Sequence, residues 1–255
     1  MHALRRLRPF AFPALVLGAL EWYTRTLGAS SDALAPPSAA ARALAQAALA
    51  GGDAGLWGAT AFTLLSAALG LLLGGVLGVL LGIVLGLSRR AAQMSFLSVE
   101  VLRPIPSVAL IPLSMLVFGF GLRMELSVVA FATFWPMLVL SQAAARQVEP
   151  GLLEVARGLG LSPWARTTKV VLPAMVPRLF VALRLGVAIA LVVAVTVEIA
   201  ANPNGMGYAM MIAQQSLEPA LMLAWLFWIG VAGYLINAAS MRLQHWVGRR
   251  MGLQP

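Results

Sequence analysis

Few side chains in this 255-residue chain can do chemistry, and they stand far apart. Arg184 and Glu198 are the clearest ionisable pair inside an apolar run, 14 residues apart. On one helix that spacing puts them about 21 Å apart along the axis and within about 40° of the same face. They could line a pathway with a basic and an acidic end, or each could anchor its end of a membrane span; both readings stay open. His2 and His245 sit at the chain ends beside arginines, which gives a paired-histidine metal site no support. Cysteine is absent, so thiol nucleophiles, disulfides and cysteine metal sites are excluded. No glycine-rich loop ends in Gly-Lys-Ser or Gly-Lys-Thr, so any ATP-derived energy has to come from another chain. With no nucleophile, metal set or acid–base cluster, no catalytic residue and no cofactor of its own is expected.

These residues are carried by a chain that is 60% hydrophobic and 11% charged, with a mean hydropathy of +0.88. Soluble domains are about half apolar and a quarter charged, so this is an integral membrane protein. Its apolar runs reach the roughly 20 residues needed for a spanning helix, and the alternating pattern of a barrel is missing. The fold class is an all-α polytopic membrane protein with about six transmembrane helices, predicted near 9–27, 58–87, 99–119, 126–146, 178–200 and 219–241. A single domain over 1–255 is expected. Within it, 1–8 and 242–255 are cytoplasmic ends, 28–57 is periplasmic, and 58–241 holds the core helices.

Orientation follows from the cations. On six spans, 15 of the 18 arginines and lysines fall on the side of the termini, and only Arg25, Arg42 and Arg123 fall opposite. Cations in short loops resist translocation, so both termini are expected in the cytoplasm of a bacterial inner membrane. The net charge of +9 is therefore a topology signal, and without a continuous basic face it does not imply nucleic acid. The periplasmic stretch after the first span carries Pro36-Pro37 and a short alanine- and leucine-rich surface helix.

Gly70, Gly74, Gly78, Gly82 and Gly86 recur every fourth residue in the second span. One ridge of that helix has no side chains, and packing within the chain is the favoured use, ahead of a subunit interface or pathway wall. In the third span Arg103, Pro104 and Pro106 open "RPIPSVALIP". Pro104, Pro106 and Pro112 remove backbone donors and are expected to break or kink the helix, which a membrane tolerates only where protein or a water-filled cavity satisfies the carbonyls. That makes a pathway wall or a kinked packing helix.

Between the fourth and fifth spans, residues 147–177 are too polar to cross. Glu149-Pro150 opens a helix, with proline at its first position. Gly158 and Gly160 close it. Ser162-Pro163 opens a second helix, which Leu172-Pro173 is expected to end. Two short helices meet at a glycine corner.

In this loop Glu154, Ala156, Gly160, Val170, Leu172 and Pro173 stand in the register of the EAA signature, with Val155 and Val170 as aliphatic departures. The chain from Pro36 onward, including "LSRR", "LRPIPSVALIPL", "VFGFG" and "VEIAANPNGMGYAM", resembles the permease subunits of bacterial ABC importers of the sulfonate, taurine and nitrate branch. The resemblance implies a homodimer with a central pathway, a second copy of the chain being the partner. Two cytoplasmic ATP-binding cassette subunits would bind ATP-Mg and grip the coupling loop, and a periplasmic solute-binding protein would deliver substrate. It places "NPNGMGY", with Gly205 and Gly207 at its turn, beside a periplasmic gate near Glu198. The solute expected is small, polar and anionic, with no tight site in this subunit. A secondary transporter or channel working without ATP is the alternative.

Overall fold

The computed structural model describes residues 2–26, 34–52 and 55–250, with side chains from Phe12 onward. Among the described residues every regular element is helical. The chain divides into two compact units, residues 1–62 with 204–232 and residues 63–203 with 233–255.

The first unit holds α1 (His2–Thr26), α2 (Pro37–Leu49), the start of α3 (Leu56–Leu87), α10 (Gly205–Gln215) and the first half of α11 (Pro219–Arg250). α2 has no capping side chain of its own at its start, but Glu21 of α1 reaches across. The Glu21 carboxylate accepts from the Ser38 backbone N–H at 3.0 Å and from Ser38 Oγ at 2.7 Å, and Arg25 Nε donates to it at 2.6 Å. A carboxylate at a helix N-terminus satisfies an otherwise orphan donor and meets the positive end of the dipole. Trp228 of α11 ties to α3 by donating to Thr60 Oγ1 at 2.8 Å and by stacking edge-on against Trp57.

The second unit holds the rest of α3 and α11 with α4 (Arg89–Leu102), α5 (Ile111–Phe118), α6 (Leu122–Arg146), α7 (Pro150–Gly158), α8 (Pro163–Arg166) and α9 (Leu172–Ala200). The glycine ridge of α3 lies against α6. A Cβ on Gly78 would stand 2.6 Å from the Phe134 carbonyl oxygen, and one on Gly82 2.6 Å from that of Leu138, so the two backbones approach as only glycine permits. Val128, Val129, Ala194 and Val197 fill the seam between α6 and α9. A second cluster of Ile83, Ala144, Ala145, Val148, Val171 and Met175 lies at the other end of these helices.

The spans differ from the expected set in two ways. Leu56–Leu87, Leu122–Arg146, Pro163–Ala200 and Pro219–Arg250 are long and apolar enough to cross a membrane. The expected third span is broken: α4 and the 107–118 segment meet at 83°, because Pro104 and Pro106 deny the helix its donors and a 3-10 turn, Ser107–Leu110, restarts it. α1 is helical but is not among the long apolar helices; Arg5, Arg6 and Arg8 stand near its start and Glu21 and Arg25 in its last two turns. Counting the bent pair as one, five spans are long and apolar enough to cross a membrane among the described residues.

Candidate coupling block and buried polar joint

The polar loop folds as the caps dictate. Glu149 precedes α7, and Pro150 takes its first position, where a missing N–H costs nothing. At the other end Gly160 N–H donates to Arg157 O at 2.9 Å and Leu161 N–H to Ala156 O at 3.1 Å, with Gly160 at φ +68°. This pair of bonds is a Schellman closure, which needs a left-handed residue at the Gly160 position. Ser162 Oγ then accepts from Ala165 N–H at 3.2 Å and starts α8 with Pro163 at its first position.

Leu172-Pro173 does not end this second helix. α8 runs through a π turn, Thr167–Val171, directly into α9, giving one helix over Pro163–Ala200. Proline lacks a donor and its ring crowds the carbonyl four residues earlier; widening the turn, so that Leu172 N–H reaches Thr167 O, accommodates it. The hydroxyls of Thr167 and Thr168 bond back to the Pro163 and Trp164 carbonyls at 2.9 Å. The block is thus continuous with a long apolar helix on one side and joined to α6 by a short turn on the other.

Of the coupling-loop candidates, Ala156 is buried and Val170 half-buried, while Glu154, Gly158, Gly160, Leu172 and Pro173 are exposed. Leu153 packs on the cluster around Val148 and Val171. Beside this buried face, Leu152 and Val155 of α7 and Leu159 at its C-cap are all exposed, and Trp164 of α8 is 76% exposed. The sequence reading passed over this apolar face, although its i, i+3, i+7 spacing on a short helix was legible. Glu154 lines a cleft of about 800 Å3 with Arg89, Arg146 and Arg157.

The pathway candidates are dispersed. Arg103 closes α4, and Pro104 and Pro106 flank the break, all three exposed. Arg184 is exposed and its Nε donates to Asn237 Oδ1 at 3.1 Å. Glu198, on the same helix, is fully buried. Gly205 and Gly207 lie buried in the first turn of α10, Gly205 with φ +91°.

A second buried carboxyl was not singled out from sequence. Glu125, in the first turn of α6, has no exposed surface. Ser66 Oγ of α3 and Asn202 Nδ2, just past α9, both bond to it. Glu125 follows Arg123 closely in sequence and reads as part of a charged helix end, so only the folded chain shows it enclosed.

The family model described as binding-protein-dependent transport system inner membrane component matches residues 74–253. A putative aliphatic sulfonates transport permease protein of Bacillus subtilis is 29% identical over 183 residues, 72% of this chain and 66% of that protein. The chain therefore spans just under two thirds of that relative's length. The taurine transport system permease protein of Escherichia coli is 28% identical over 200 residues, 77% of this chain and 73% of its own. Among solved structures, the inward-facing MetNI methionine ABC transporter matches with a TM-score of 0.65 at 22% identity, covering 72% of this chain and 92% of that one, a likeness of fold. With its long apolar helices, its capped polar block and a family match over most of its length, the chain belongs to the binding-protein-dependent transport system inner membrane component family.

Proposed function

We propose that this chain is the membrane-spanning permease subunit of an ATP-driven importer that moves a small polar, anionic solute inward by alternating access. The observation that carries the reading is the capped corner at Gly160, continuous with the helix Pro163–Ala200 and presenting Leu152, Val155, Leu159 and Trp164 outward. Exposed apolar side chains on a polar block call for a protein partner. Two ATP-binding cassette subunits, holding ATP-Mg, are that partner; their closure displaces the block, and the unbroken helix carries the movement into the membrane. The chain itself is not an enzyme. A second copy completes the pathway, a periplasmic binding protein supplies the solute, and α1 makes a sixth crossing, so that both termini lie in the cytoplasm.

The sulfonate and taurine permeases among the relatives support an anion of that type. Selection rests with the binding protein, so this subunit holds no tight solute site. One observation favours a secondary transporter instead: Glu125 and Glu198 are both buried inside the second unit, as carboxylates are in ion-coupled carriers. The test is reconstitution of the permease with and without its cassette subunits. Solute uptake that requires both cassette subunits and ATP supports the importer; uptake driven by an ion gradient alone supports the carrier.

A further inference from the structure

Bringing a carboxyl group into an apolar interior is costly, so the enclosure of Glu125 calls for a reason. Its two oxygens are held from two directions: Ser66 Oγ lies against Oε1, and Asn202 Nδ2 donates to Oε2. Ser66, Glu125 and Asn202 are each at most 1% exposed. The partners come from positions 59 and 77 residues away in sequence, so one side chain joins α3, α6 and the end of α9. Around the joint the seam is made of small and branched apolar residues such as Ala67, Val128 and Ala194. Dispersion contacts across such a seam are individually weak and undirected, whereas hydrogen bonds need one distance and angle and so mark a single register. The far side of the joint is stiff as well. Ala201 and Asn202 N–H groups both return to Val197 O, at 2.8 and 3.1 Å, so Asn202 is fixed to the last turn of α9, the turn that bears Glu198.

We propose that Glu125 is a positioning residue of the transport cycle, locking the end of α9 to α3 and α6 so that the turn bearing Glu198 moves with them as one block. The inference rests on the importer reading and deepens it. The role is one of hydrogen bonding and shape, which a carboxamide can reproduce. In Glu125→Gln the carbonyl accepts from Asn202 Nδ2 and the NH2 donates to Ser66 Oγ, whose own proton is then free for the Thr63 carbonyl at 3.0 Å. In Glu125→Ala neither bond survives.

The test uses the full-length permease in nanodiscs with its cassette subunits, without solute or binding protein. Two quantities are read: basal ATP hydrolysis, and the labelling rate of a single thiol introduced by Pro203→Cys in this cysteine-free chain. Glu125→Ala, Ser66→Ala and Asn202→Ala are each expected to raise both by about tenfold, the population shift that follows from losing a buried hydrogen bond. Glu125→Gln is expected to stay within about twofold of the parent, because it keeps both bonds. Combining Glu125→Ala with Asn202→Ala adds nothing to Glu125→Ala alone. A glutamine variant that behaves like alanine would show that charge is the requirement and overturn the proposal; so would three alanine variants that leave both readouts at the parent level. If Glu125→Ala does not fold, Ser66→Ala and Asn202→Ala decide by the same readouts, and failure of all three to fold reduces the joint to a structural tie and also overturns it. A parent complex without ATP hydrolysis would remove the importer reading, while thiol labelling, which needs no partner, still tests the joint.

Discussion

Two glycines in the coupling corner have opposite tolerances, and the difference is a matter of backbone angle. Gly158 is the last helical residue of α7, and a Cβ added there meets nothing within 4 Å. Gly160 is equally open but has φ +68°, where an L-residue is strained by about 1–2 kcal/mol. Gly158→Ala should therefore stabilise the purified permease by about 0.5–1 kcal/mol through lower unfolded-state entropy. Gly160→Leu should leave the chain in the membrane but reopen the Schellman closure and cut copurification with the cassette subunits by about tenfold, as a penalty of that size converts to an equilibrium. Thermal unfolding and pull-down read the two outcomes. Equal behaviour of the two variants would show that the corner's backbone conformation has no part in docking.

At the scale of elements, the contact between α3 and α6 and the outer face of α7 are two uses of helical spacing. From Gly70 to Gly86 every fourth residue of α3 is glycine, and the α6 chain lies where side chains would be. Gly78→Leu should cost about 3 kcal/mol or more by overpacking, seen as loss of monodisperse protein in detergent. Gly230→Leu, on α11 with nothing within 4 Å of its Cβ position, should purify like the parent. On α7 the apolar face at Leu152, Val155 and Leu159 lies outside the chain's buried core. Val155 is 62% exposed, so Val155→Asp should leave folding unchanged. It should weaken cassette binding by about tenfold or more, because a charge would be buried unpaired in the interface. Intact binding by that variant would move the docking surface off this face. The broken third span belongs to this scale too: its prolines were legible as a break, and the 83° angle came only with the packing.

For the whole molecule the outstanding expectation is orientation. The 15-to-3 division of cations predicts that Ser88, Ser162 and Gln244 face the cytoplasm and Asn204 the periplasm. Because the native chain lacks cysteine, single cysteines at these positions can be labelled in intact cells with an impermeant thiol reagent. Asn204→Cys should react from outside and the other three only after the inner face is opened. Labelling of Ser162→Cys in intact cells would reverse or redraw the topology.

Composition and periodicity determined the membrane class and most helix positions, because a bilayer accepts only helices or closed barrels, and a long apolar helix satisfies its own backbone. Local signals also determined the corner: the Glu149-Pro150 start, the Gly160 closure and the Ser162 cap involve residues within a few positions of one another. Tertiary structure decided what depends on distant neighbours. Pro173 ended a helix by local rules, yet a π turn carried the chain through it into α9. Arg184 and Glu198 shared a helical face by spacing, yet one is exposed and bonded to Asn237 while the other is enclosed. Glu125 looked like one more charge at a helix end until α3 and the end of α9 closed over it with Ser66 and Asn202. Burial and hydrogen-bond partners at separations of 59 and 77 residues are properties of the packed chain, and no local pattern encodes them.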